Sequence, residues 1–194
     1  GGDNYFRLDF HKALRRICDE NEILFIYDEV QTGFGATGRM WAFEHYVQPD
    51  ILAFGKKSQV CGILANHRVD EVPDNVFRVS SRINSTWGGN LVDMVRCRLF
   101  LEIFEEEKLL EHCRQMGEVL MKKLHQLKEE FPSKVSNIRG LGLFCAFDLP
   151  DTELREQFRQ KLFENRLLIL PSGERSIRFR TALNLTEEEL LQGI

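Results

Sequence analysis

The chain has 194 residues, 43% hydrophobic and 29% charged, which is the composition of a soluble globular protein and enough length for one domain or a piece of a larger one. A formal net charge of −4 leaves no basic footprint for nucleic acid, and no apolar run approaches the length of a membrane span. Five cysteines, Cys18, Cys61, Cys97, Cys113 and Cys145, are odd in number and scattered without a C-x-x-C pair; this argues against a disulfide framework or a structural zinc site and fits the reducing cytosol.

The sequence opens on Gly1-Gly2-Asp3 and stops at Gln192-Gly193-Ile194 within a helical pattern, so both ends look cut, and no targeting segment is visible. Phe10, Ala13, Leu14, Ile17 and Cys18 recur at helical spacing over Leu8–Glu20. Ile23–Tyr27 is an apolar run of strand length that ends in Asp28-Glu29. A helix followed by a wholly apolar strand predicts an α/β sheet, mostly parallel and covered on both faces. Residues 31–49 read as loop, Ile51–Phe54 as a second strand ending in Gly55-Lys56-Lys57, and Gly62–Ala65 and Val76–Val79 as two more. Ser85-Thr86-Trp87-Gly88-Gly89-Asn90 is a turn that opens helical periodicity from Leu91 to about Phe131, a length that predicts two helices with a break near Glu105–Lys108. After Pro132, short strands are expected at Val135–Arg139, Leu143–Asp148, Leu167–Leu170 and Ile177–Arg180, with a helix at about Thr152–Asn165. The pattern divides the chain into 1–90, part of a large domain; 91–130, connecting helices; and 131–194, a small α+β domain.

Ligands of open parallel sheets bind outside the carboxyl ends of the strands. If the first two strands are neighbours, Asp28 and the Lys56-Lys57 pair face one crevice. Pyridoxal 5'-phosphate uses such a pair: an acid for its pyridine nitrogen and a lysine for its aldehyde. Taken singly, an acid at a strand end is commonly a cap and adjacent lysines are commonly solvated, and geometry alone does not separate Lys56 from Lys57.

The stretch Ile26-Tyr27-Asp28-Glu29-Val30-Gln31-Thr32-Gly33-Phe34-Gly35, then Gly38, then Pro49-Asp50-Ile51-Leu52-Ala53-Phe54-Gly55-Lys56, resembles the signature of the class III (omega) pyridoxal-phosphate aminotransferases, and the similarity covers essentially the whole chain. It implies a type I aminotransferase fold, with part of the large domain and a small carboxyl-terminal domain. A small residue precedes the Schiff-base lysine in that family, so Gly55 selects Lys56. The resemblance further implies that Asp28 pairs with the pyridine nitrogen, Val30 packs on the ring and Gln31 lies near the ring hydroxyl. Thr86 would bind the phosphate of the partner subunit's cofactor in a homodimer, and Arg178 would hold the substrate carboxylate, leaving Arg180 to a structural ion pair. No metal is implied. The main phosphate loop, the ring-stacking aromatic residue and a gating glutamate would lie upstream of Gly1, so the 194 residues alone are expected to bind cofactor weakly.

Within the family, Phe54–Gly62, Arg68–Val72 and Arg82–Arg96 are similar to members that use L-lysine as amino donor and 2-oxoglutarate as acceptor. The alternatives are 4-aminobutyrate or ornithine as donor, a decarboxylase or aminomutase on the same scaffold, or a catalytically incomplete paralogue serving as a dimer partner. A generic dinucleotide-binding module ranks low, because no G-x-G-x-x-G follows a strand.

Overall fold

In the computed structural model, residues 2–83 and 85–194 are described. They form two compact units: one of Phe6–Phe34 and Met40–Glu107, the other of Gly1–Tyr5, Gly35–Arg39 and Lys108–Ile194.

The first unit begins with helix α1 (Leu8–Glu20), whose span matches its apolar period. Strand β1 (Ile26–Asp28) pairs in parallel with β2 (Ile51–Phe54), and β3 (Gly62–Ala65) adds antiparallel to β2. β1 is shorter than its apolar run because Phe25 is held elsewhere: its N–H donates to the Asp50 carboxylate at 2.8 Å and its carbonyl accepts from Asp50 N–H at 2.8 Å. Asp50 is buried and also takes Arg15 at 2.8 Å, Arg68 at 3.2 Å and the Asn66 amide at 3.1 Å. One carboxylate thus ties α1, the β1 entrance and the segment after β3 together. Burial opposes ionisation of Asp50, but the Phe25 N–H, Arg15 and Asn66 outweigh it and hold the carboxyl below the usual range.

The strand expected at Val76–Val79 is not formed. The side-chain oxygen of Asn75 accepts from Phe77 N–H at 2.9 Å, and the Asn75 carbonyl accepts from Arg78 and Val79 N–H at 3.1 and 3.3 Å. These local bonds make a turn, a competition that asparagine wins over an apolar pattern. Helix α2 (Leu91–Glu106) follows and buries none of its residues; Leu91 is 80% exposed.

The second unit starts at Lys108, which is left-handed (φ 50°) and caps α3 (Leu109–Glu130), so the expected break between two helices is present. β4 (Ser136–Leu141), β5 (Phe144–Asp148), β6 (Leu170–Ser172) and β7 (Ser176–Arg178) form an antiparallel sheet ordered β4-β5-β7-β6. β5 is buried along its whole length, and Cys145 and Phe147 meet Cys113, Leu120 and Leu124 of α3 in the core. Helices α4 (Thr152–Glu164), capped by Asp151, and α5 (Glu187–Gln192), capped by Thr186, complete it. No helix among the described residues is long and apolar enough to cross a membrane.

α3 and the β4–β5 turn meet backbone to backbone. A Cβ on Gly117 would sit 2.5 Å from the main chain of Gly142. Gly117→Ala would gain about 1 kcal/mol of helix propensity, but the clash falls on backbone that no rotamer relieves, costing about 1–3 kcal/mol. A lowered denaturation midpoint is the expected result; a raised one would show that the contact is loose.

Candidate functional site

The parallel pairing of β1 and β2 aligns Ile26 with Ile51, Tyr27 with Leu52 and Asp28 with Ala53, so both strands exit on the same edge. Glu29 N–H donates to the Ala53 carbonyl at 2.8 Å and carries the pairing one residue further. Asp28 is exposed there, and its carboxylate accepts from Val30 N–H at 3.1 Å. On the neighbouring strand Gly55 is buried; a Cβ at that position would lie 3.1 Å from the Cys61 sulfur and 3.7 Å from Val30 Cγ1. The missing side chain lets the Lys56 turn come in beside Val30. That turn is held by buried Ser58, whose hydroxyl lies 2.7 Å from the Gly55 and Val60 carbonyl oxygens.

The two lysines differ sharply in the structure. Lys57 Nζ donates to the Gln31 carbonyl at 2.6 Å and the Gly33 carbonyl at 3.3 Å. Lys56 is exposed, and its amine makes no hydrogen bond or ion pair among the described residues. Gln31 is exposed on the loop that Lys57 grips. Asp28, Val30 and Lys56 therefore share one edge of the sheet, with Gln31 one residue beyond Val30. An acid and an unengaged amine on one edge are equipped to hold a proton at one point and move it at another.

Glu29 is the residue that sequence reading missed here. It is 3% exposed, and its carboxylate accepts from Ala42 and Phe43 N–H at 2.7 Å each and from the Thr32 hydroxyl at 3.2 Å. Burial pushes its carboxyl upward against those donors. A second charged residue continuing directly from an apolar run of strand length was the available signal.

Thr86 lies in the turn before α2, exposed, with no side-chain hydrogen bond among the described residues. The helix cap is Asn90, whose side-chain oxygen accepts from Val92 N–H at 3.0 Å, so Thr86 is not a cap. Gly88 N–H donates to Ser85 O at 3.1 Å and closes the turn; Asn84 lies outside the described residues.

Arg178 belongs to the second unit, at the end of β7, paired with Ala146 on one side and Leu170 on the other. It borders a mainly apolar cavity of about 300 Å³ lined by Leu168, Leu170, Thr181, Leu185 and Ile194 among others. Among the described residues its Nε is buried without a hydrogen-bond partner, as is that of Arg180. Arg180 pairs with Asp3, and its guanidinium carbon lies 3.2 Å from the Phe144 ring centre. Burial lowers the Arg180 pKa, against the pull of Asp3. The structural ion pair expected there is present.

The aminotransferase class-III family matches residues 1–194. The L-lysine-epsilon aminotransferase of Mycobacterium tuberculosis is 51% identical over 98% of this chain and 42% of its own. A probable mitochondrial 4-aminobutyrate aminotransferase of Caenorhabditis elegans is 35% identical over 98% of this chain and 39% of its own. Among solved structures, lysine aminotransferase from M. tuberculosis in the internal aldimine form superposes with a TM-score of 0.96 at 50% identity, covering 99% of this chain and 44% of that one. The chain spans about two-fifths of the length of these relatives, and its mixed α/β architecture, the type I aminotransferase class expected from sequence, is theirs. Signature, fold and relatives agree, and this chain belongs to the class-III aminotransferases.

Proposed function

We propose that the protein moves the terminal ε-amino group of L-lysine to 2-oxoglutarate with pyridoxal 5'-phosphate, giving 2-aminoadipate semialdehyde and glutamate. The observation that carries this reading is the shared exit of β1 and β2, which leaves Asp28 and a Lys56 amine unengaged among the described residues on one edge. The residues fit the cofactor: the buried, side-chain-free Gly55 keeps the approach beside Val30 open, and acid and amine stand on adjacent strands. When bound, pyridoxal phosphate supplies an aldehyde carbon for the amino group and a ring that accepts electrons from the broken C–H bond.

Asp28 holds a proton against the ring nitrogen through its carboxylate. Lys56 Nζ would hold the cofactor through its aldehyde carbon and, when free, would be the group that moves a proton at the substrate carbon. Val30 would pack against the ring and Gln31 would lie near its hydroxyl. Arg178 takes the substrate carboxylate with paired N–H donors, a reading supported by its Nε, unpartnered among the described residues. Thr86 presents its hydroxyl to the phosphate of a partner subunit in a homodimer. The uncovered apolar side of α2, with Leu91, Val92, Val95 and Leu99 all exposed, supports that assembly. Five free thiols fit a cytoplasmic location.

Amino-donor comparison of the full-length protein tests the reading, with 2-oxoglutarate as acceptor. Lysine and ornithine differ by one methylene, which is worth about 10–200-fold in specificity. Lysine is expected to exceed ornithine by that range in kcat/KM, and to exceed 4-aminobutyrate as well. Preference for either rival retires lysine as the donor, and absence of glutamate from all three retires transamination.

A further inference from the structure

At each strand exit the residue assigned above to chemistry is followed by a second charged residue that turns the other way. Asp28 is exposed and Glu29 is buried; Lys56 is exposed and Lys57 is half-buried. Both inward residues grip the same loop. Glu29 takes its far end through Ala42 and Phe43 N–H at 2.7 Å each. Lys57 takes its near end through the Gln31 and Gly33 carbonyls at 2.6 and 3.3 Å. The loop closes on itself through Gly33 N–H, which donates to the Glu29 carbonyl at 2.9 Å.

Lys57 is thus the side chain that joins the turn bearing Lys56 to the segment bearing Val30 and Gln31. A lysine on a surface turn is ordinarily a solvated charge worth little. This one instead directs its ammonium to main-chain oxygens, and charge-assisted bonds of that kind are about twice as strong as neutral ones. We propose that Lys57 is a positioning residue: it fixes the Lys56 amine relative to Val30 and Gln31, so that amine and ring-contacting residues form one frame. The proposal rests on the reading of Lys56 as the cofactor lysine. It also gives the second lysine of the pair a task of its own, and one that does not exchange with that of the first.

The test uses the full-length protein with pyridoxal phosphate and three variants, reading cofactor affinity and visible circular dichroism per bound cofactor, which reports how firmly the ring is oriented. Lys57→Met is expected to raise the cofactor dissociation constant about tenfold and to reduce the visible dichroism. Lys57→Arg, which keeps a charged donor able to reach two carbonyls, is expected to restore most of both. Thermal unfolding without cofactor checks that Lys57→Met folds; if it does not, the Lys57→Arg data decide, because an arginine variant with weak affinity and wild-type stability overturns the proposal. Wild-type affinity and dichroism in Lys57→Met overturn it as well. Lys56→Ala separates the two failures: covalent cofactor retained there removes the reading of Lys56, and the role of Lys57 with it.

Discussion

Lys56→Ala is expected to lower the turnover of the cofactor-saturated protein by about 10³–10⁴-fold, while Lys57→Ala retains covalent cofactor. The contrast follows from geometry. Lys57 Nζ is committed to the Gln31 and Gly33 carbonyls, whereas the Lys56 amine, on the edge that also presents Asp28, is unengaged among the described residues. Removing a positioned proton carrier alone costs about 10²–10⁴-fold, and Lys56 would also lose its role as the attachment point. Glutamate formation at saturating lysine and 2-oxoglutarate measures the effect, and mass spectrometry after borohydride reduction locates the modified residue. A Lys56→Ala protein that keeps a tenth of wild-type turnover would end the assignment.

Asp50→Ala is expected to cost about 3–5 kcal/mol of stability, the penalty for breaking a buried ion pair by removing one partner. Asp50 is 4% exposed and is approached by Arg15, Arg68, Asn66 and Phe25 N–H. Without it, the largely buried guanidinium groups of Arg15 and Arg68 would keep only the more exposed carboxylate of Asp19, at 2.6 and 2.7 Å, as counter-charge. The Arg7–Asp9 pair is a control: its side chains are 86% and 75% exposed, so Asp9→Ala should change stability by about 0–1 kcal/mol. The same site predicts a pH dependence. The Asp50 carboxyl is held below its ordinary value in the folded chain, so its contribution is fully present above the unfolded carboxylate value, about 3.9, and is lost as pH falls through the folded one. Urea midpoints measured from neutral pH down to about 3 should fall more steeply for wild type than for Asp50→Asn. Parallel curves would show that other carboxylates dominate acid unfolding.

The sequence pattern located elements well where apolar spacing and local backbone chemistry agree. α1, β2 and β3 match their apolar periods, and the break between α2 and α3 sits at Lys108, where a left-handed residue interrupts the helical run. It failed where one polar side chain redirects the backbone. Asn75 turns Val76–Val79 away from extended pairing, and Asp50 takes the Phe25 amide that an apolar run alone would assign to the sheet. The strand expected at Leu167–Leu170 pairs only from Leu170, and the pattern carries no trace of that register. At the candidate site, the neighbouring strand exits that carry Asp28 and Lys56 were legible from the apolar runs that end there, whereas Val30 was marked by the family signature alone. The separate tasks of Lys57, Glu29 and Ser58 were not, since their partners are main-chain oxygens and amides up to 26 positions away, which leave no mark in side-chain spacing.

The outward side of α2 has a consequence for how this part of the molecule responds to its surroundings. A sixteen-residue helix that buries nothing within its own unit has little beyond its backbone bonds to hold it in water. Its order then depends on whatever covers Leu91, Val92 and Val95, and the free energy of covering them enters the apparent stability of the helix through mass action. If a second copy covers it, as proposed above, dilution with no change in temperature or denaturant would loosen it, and the same chain at micromolar and nanomolar concentration would show different helical content.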